Sequence, residues 1–371
     1  MKPLYKLLTI LTFTKLIFII ILLASHYLLQ THYLSFLTNW DTDLFSKIAT
    51  YGYNEPKLFV FMPIWPLIGH LFYKIGIPVW VGLLITANTI SYLAVTCVYK
   101  FASNLWGQKT AWQATLLFIW APTGWILCLP YSDGLFILLL TLSLWTATLK
   151  KNSLSGVLIA LSSLVKVTGI MAYISLAIIQ LQSHNKINKI ITTLLTAVSG
   201  LLIWSLYSYQ STGHFYSYIS QQSIEWDHTF IPYPGYISLT LWYLISLFQA
   251  QYHAAHFFPL FTYYLPEITD MFIGIFVIAI TITQRHKLPP HLRWFVFIYL
   301  LLVTSTPPLH LIDFPYKTPP QLSITRYIWT CWLIFIPLAI WTNKHFNKLL
   351  YTSITLYILY AIYVINGFYV P

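Results

Sequence analysis

The sequence predicts an all-α polytopic membrane protein, and three observations carry that reading. Of its 371 residues, 58% are hydrophobic and only 8% are charged, against roughly 25% charged in soluble domains. Apolar runs close to the about 20 residues that cross a bilayer as a helix recur along the chain. The Lys and Arg residues collect in the turns that such a path places on one side.

The elements follow in order. Residues 7–29 form a long apolar run behind Lys2 and Lys6; with no small-residue cleavage site after it, the run reads as a retained helix whose amino end faces the cytoplasm. Residues 57–76 contain Pro63 and Pro66, which argue against one straight spanning helix because each proline removes a backbone donor. That stretch is expected along the outer interface. Spans are expected at 80–98, 111–129 and 134–149, the first two separated by a basic turn with Lys100 and Lys109. The runs 154–165 and 167–181 are each too short for about 30 Å at 1.5 Å per residue. They predict a helix pair that enters the bundle and leaves it, with Lys166 at the junction beside a cavity.

Further spans are expected at 190–209, 268–282, 295–304, 328–341 and 350–365, giving about eleven membrane helices in a single domain over 1–371. The first outer loop would cover 38–78. A second long outer region would cover 210–266, with helices of open depth and with His253 and His256 at i and i+3. Those two histidines are read as interfacial rather than as metal ligands, since no carboxylate support is evident.

The formal net charge of +11 would suggest nucleic acid in a soluble protein. Here Lys2, Lys6, Lys15, Lys100, Lys150 and Lys151 are among many basic residues assigned to the cytoplasmic side, so no nucleic-acid partner is needed. The nine acids fall on or near the opposite side. Charge bias does not require that, because Asp and Glu contribute little to topology. Cys97, Cys128 and Cys331 sit in apolar runs without disulfide or zinc spacing and read as packing residues. No phosphate-binding glycine loop, dinucleotide fingerprint or HExxH is present.

Acids beside a bilayer are a functional hypothesis by default, which draws attention to 40–66, where Asp41, Asp43 and Glu55 are interleaved with aromatic residues. Trp40-Asp41, Phe45, Ile48-Ala49, Gly52-Tyr53, Met62-Pro63 and Trp65-Pro66 resemble the signature of the second GPI mannosyltransferase family and its prokaryotic relatives, members of the GT-C class. Three further stretches arrive in the family's order. Tyr131 to Phe136 is similar to its Y(S/T)E-SLF motif, Leu164 to Gly169 to its L.RPTG motif, and Arg326-Tyr327 before Phe335 to Leu338 to its RY...FPL motif. Asp133 stands where the family has Glu, and Lys166-Val167 where it has Arg-Pro. Phe61-Met62 replaces a Phe pair. The charge signs are kept.

The resemblance implies a GT-C-like bundle with catalytic outer loops and interfacial helices. It implies inverting transfer of a hexose, with mannose the sugar of the family, from a polyprenyl-phosphate donor to a glycan or glycolipid acceptor on the extracytoplasmic face. No cofactor is expected, and a divalent-metal requirement is left open. The expected location is a prokaryotic plasma membrane, with the endoplasmic reticulum as the alternative.

Asp41 is the expected general base, an aspartate in this loop having that role in the family. Asp43 reads as a substrate-binding acid or a helix cap, and Glu55 as a loop acid or an acceptor contact. Arg326 suits a donor phosphate because a guanidinium offers paired hydrogen bonds to phosphate oxygens, although a basic residue there could equally anchor at the interface. Lys166 and Tyr327 are expected beside it. Asp133 would pair with one of these cations or bind a sugar hydroxyl. Gln222 and Trp226 suit sugar recognition, by amide hydrogen bonds and by ring stacking, or membership of an interfacial aromatic belt. The competing classes are a transporter or flippase of lipid-linked sugar and a noncatalytic subunit of a glycosyltransferase complex. A transporter would commonly show two related halves, and the 40–66 pattern has no second copy.

Overall fold

Apolar runs fold as helices in lipid because a helix satisfies its backbone groups internally, and the computed structural model of this chain follows that rule. It describes residues 2–29, 33–183, 187–226, 230, 257–305 and 324–366. Among them the regular structure is helical throughout. The helices are α1 (Lys2–Leu29), α2 (Tyr33–Thr38), α3 (Asp41–Tyr51), α4 (Ile64–Lys74), α5 (Val79–Ile119), α6 (Asp133–Thr148), α7 (Asn152–Ser163) and α8 (Ala172–Gln182). They continue with α9 (Ile187–Thr212), α10 (Ser217–Trp226), α11 (Phe257–Thr283), α12 (Pro290–Thr304), α13 (Ile324–Thr330), α14 (Phe335–Trp341) and α15 (Phe346–Ile365).

Among the described residues α1, α5, α9 and α15 are long and apolar enough to cross a membrane; α13 and α14 form a bent pair, and five further apolar segments are shorter. The chain is thus a polytopic all-α membrane protein. Large apolar side chains stay exposed along α1 and α9, among them Phe13, Ile20, Leu195 and Ile203, as surfaces that meet lipid do.

Several expectations are corrected. The break between the expected spans 80–98 and 111–129 does fall between Lys100 and Lys109, but at a single non-helical residue rather than in an open turn. The helix runs on through Lys100 and bends at Gly107, whose φ of 78° and ψ of 163° interrupt α5 and suit a residue without a Cβ. The second of those spans also stops early: α5 ends at Ile119, and a 3-10 turn at Gly124–Cys128 follows. The span expected at 328–341 is two helices at 87°. Pro337 lies in the first turn of α14 and would clash with the carbonyl four residues back, so the α13 helix cannot continue through it. Lys15 is not at the cytoplasmic surface. It lies halfway along α1, buried, where its ammonium donates to Asn88 Oδ1 at 2.5 Å, Ser91 Oγ at 2.9 Å and the Leu127 carbonyl at 3.1 Å.

Two short helices with Lys166 between them are present as expected. Helices α7 and α8 flank Lys166 and a 3-10 turn at Val167–Met171. Helices α7 and α9 meet through small residues, the usual means of close approach in lipid; a Cβ on Gly200 would lie 2.5 Å from the Ala160 carbonyl oxygen. The main core lies where α5, α6, α13 and the 124–128 turn converge, with Trp125, Trp329 and Trp332 fully buried. The expected helix over 235–248, together with Asp227, His228, His253 and His256, lies outside the described residues.

Candidate active site

Helix α3 begins at Asp41, immediately after Trp40, whose φ of 59° and ψ of −137° place a non-glycine residue in the left-handed half of backbone space. Such conformations cost on the order of 1–3 kcal/mol and cluster at functional sites. The turn aims Asp41 inward, where its Oδ2 accepts from Arg326 Nη2 at 3.0 Å. Helix α6 begins at Asp133, whose side chain is 1% exposed. Its Oδ2 accepts from the same Arg326 nitrogen at 3.3 Å, and its Oδ1 from Lys166 Nζ at 2.7 Å. Both carboxylates stand in the first turn of a helix, where the backbone N–H groups favour anions.

Four charged groups from four distant segments therefore form one line, Asp41, Arg326, Asp133, Lys166, of alternating sign. It sums to zero, as buried charges must nearly do. Arg326 is 7% exposed, and its guanidinium lies 5.0 Å from the centre of the Tyr131 ring. Among the described residues its Nε has no hydrogen-bond partner.

Neighbouring contacts fix each segment. Trp65 Nε1 donates to the Pro130 carbonyl at 3.0 Å, and the Ile64 N–H to the Leu164 carbonyl at 3.2 Å, so the start of α4 grips the loops that carry Asp133 and Lys166. Helix α13 is held on both sides of Arg326. Trp329 stacks on Phe118 at 4.9 Å and donates to its carbonyl at 3.0 Å. Asp270 of α11, fully buried, accepts from the Thr325 N–H at 3.2 Å and from its hydroxyl.

Asp270 and Lys15 escaped the sequence reading of the site, although an ionisable residue inside an apolar run is itself a signal. Asp270→Asn is expected to lower stability by about 1.5–3 kcal/mol, the worth of hydrogen bonds to a charged group. The fall would be read as a lower melting temperature in detergent; unchanged melting would remove Asp270 from its hold on α13.

The remaining candidates divide. Tyr327 adjoins the cluster, its phenol within electrostatic reach of Arg326, Asp41 and Asp133. Gln222 reaches it indirectly: Gln222 Nε2 lies 3.5 Å from the Tyr218 hydroxyl, itself within reach of Tyr327. Asp43 and Glu55 stand apart. Asp43 pairs with Lys47 at 2.8 Å and Glu55 with Lys57 at 2.7 Å, all four side chains nearly half exposed. The Lys57 hydrogen bond holds the Glu55 carboxyl below the usual carboxylate range. Trp226 closes α10, and its side chain lies outside the described residues. Among the described residues no three His, Cys, Asp or Glu side chains are grouped as metal ligands.

The arrangement places a buried Arg326 and a partly buried Lys166 next to two carboxylates that they only just neutralise. An arriving anion could take either cation by displacing a carboxylate, which would leave that carboxylate free to accept a proton.

No family model and no curated protein sequence matches this chain. Among solved structures, the crystal structure of ArnT from Cupriavidus metallidurans in the apo state is similar at a TM-score of 0.45 and 10% identity, over 88% of this chain and 69% of that one. At that score the likeness fixes neither a family nor a chemistry for this chain.

Proposed function

We propose that the chain is an inverting GT-C glycosyltransferase that moves a hexose, with mannose the first candidate, from a polyprenyl-phosphate donor to a hydroxyl of a glycan or glycolipid outside the cytoplasm. The observation that carries this reading is the line of Asp41, Arg326, Asp133 and Lys166, closed by side chains up to 285 positions apart. The order of the family motifs in the sequence agrees with it.

In the proposed reaction the donor phosphate takes Arg326, displacing Asp41. Lys166 adds a second charge to the phosphate, while Asp133 keeps both cations in place. The acceptor oxygen attacks the anomeric carbon from the face opposite the phosphate, and the carbon–oxygen bond to the phosphate breaks with its electron pair leaving on polyprenyl phosphate. Asp41 takes the hydroxyl proton. Tyr327 and Gln222 line the sugar side, and Trp226 is assigned there by its place on α10. Asp43 and Glu55, at the outer surface, are left to the acceptor.

The test is transfer by the purified protein in lipid, with labelled polyprenyl-phosphate-mannose and other polyprenyl-phosphate hexoses, against a panel of glycans and glycolipids. Transfer from one such donor is expected; failure of every polyprenyl-phosphate sugar would end the class assignment. A chelator arm of the same assay measures the need for a divalent metal. Arg326→Lys is expected to raise the KM for donor about tenfold or more, because an ammonium cannot reproduce the paired hydrogen bonds of a guanidinium. An unchanged KM would place the phosphate elsewhere.

A further inference from the structure

At the other end of α7 from Lys166, the α6–α7 turn and the start of α9 enclose a recess of about 530 Å³ lined by Lys150, Lys151, Asn152, Asn188, Lys189 and Thr192, among others. Three lysines line this one space, and among the described residues no carboxylate lines it. Lys150 occupies the left-handed position that closes α6, at φ 58°, with the Lys151 N–H returning to the Thr146 carbonyl at 2.9 Å. Glycine is the usual residue at that position. The turn therefore carries a lysine where backbone preference argues against any Cβ. Next to the recess the surface turns apolar: Leu149, Leu154, Ile187 and Ile191 are all close to half exposed or more.

We propose that this recess binds the phosphate headgroup of an anionic phospholipid of the cytoplasmic leaflet, with its acyl chains along the exposed leucines and isoleucines. A mere excess of basic residues in a cytoplasmic turn would satisfy topology without a recess. Three lysines around one recess between helix ends, with no carboxylate among its described lining residues, make a phosphate site, as basic pockets between membrane helices do. The apolar flank selects a lipid over a soluble phosphate. The site shares no residue with the charged line around Arg326 and does not depend on the proposed glycosyl transfer.

The experiment uses the full chain in detergent, equilibrated with equal amounts of phosphatidylglycerol and phosphatidylcholine, with retained lipid read by native mass spectrometry. The wild type is expected to keep phosphatidylglycerol about tenfold or more over phosphatidylcholine. Lys150→Gln/Lys151→Gln/Lys189→Gln should lose that preference, whereas Lys6→Gln/Lys100→Gln/Lys348→Gln, with the same charge removed from exposed lysines elsewhere, should keep it. Equal loss in both triple variants, or no preference in the wild type, overturns the site. If inorganic phosphate binds the recess while phosphatidylglycerol does not, the lipid assignment is overturned. Melting of each variant in phosphatidylcholine alone checks folding. Should the first triple variant fail there, the exposed Lys189→Gln alone is expected to lower the preference about threefold, and a wild-type preference in it overturns the proposal.

Discussion

Asp133→Asn is expected to destabilise the protein by about 3–5 kcal/mol, the cost of removing one partner from a buried ion pair. The side chain keeps its shape, but Lys166 and Arg326 then face each other with only Asp41 to oppose them. Asp133 is the carboxylate that both cations touch, at 2.7 and 3.3 Å, and it is the least exposed of the four. In detergent the apparent melting temperature should fall by roughly 5–10 °C for a chain of this size. Asp133→Asn/Lys166→Gln removes one charge of each sign and should recover about half of that loss or more, since no unpaired charge then stays buried. Wild-type melting of Asp133→Asn would mean that the two cations are solvated rather than held by it. Failure of the double variant to recover would mean that Asp133 stabilises by something other than charge.

How far this site could be read in the sequence depends on what each residue's neighbourhood announces. Asp41, Asp133, Lys166 and Arg326 stand at the edges of apolar runs, where a charge is rare and so conspicuous. Their pairing across 193 and 285 positions is a tertiary fact with no local trace. Asp43 shares the composition and loop of Asp41 but not its fate. Two positions apart on a helix are separated by about 200°, so when Asp41 faces Arg326, Asp43 faces water and Lys47. Sequence spacing would have shown this only if α3 had been read as a helix starting at Asp41.

The same distinction holds for the fold. Run length and an interrupting lysine announced both ends of α7 within two residues and the end of α8 within one, while the expected start of α8 is a 3-10 turn at Val167–Met171. The breaks at Gly124–Cys128 and at Cys331–Ile334 lie within stretches whose apolar character does not change, whereas the break at Gly107 falls in the polar stretch between Lys100 and Lys109. Hydropathy reports the solvent around a segment, not whether its helix is continuous. Lys15 shows the limit from the other side: its place in the first basic cluster suggested the cytoplasmic surface, but 13 residues of helix carry it about 20 Å inward.

Asp41→Asn is expected to lower turnover by about 100-fold or more while donor binding is retained, the range for a lost general base. The geometry makes the two effects separable. Arg326 keeps Asp133 in the variant, and Asp41 is about one-fifth exposed, so stability should change far less than in Asp133→Asn. The carboxylate of Asp41 also competes with any incoming phosphate for Arg326 Nη2. Its neutral replacement competes more weakly, and the donor should therefore bind as tightly as in the wild type or severalfold more so. A structural role for Asp41 predicts the opposite pairing, weaker binding together with lower melting. Turnover at the wild-type rate in Asp41→Asn would remove it as the base. Loss of turnover together with loss of donor binding would instead assign it to holding Arg326, and the proton acceptor would have to be sought among the other carboxylates of the chain.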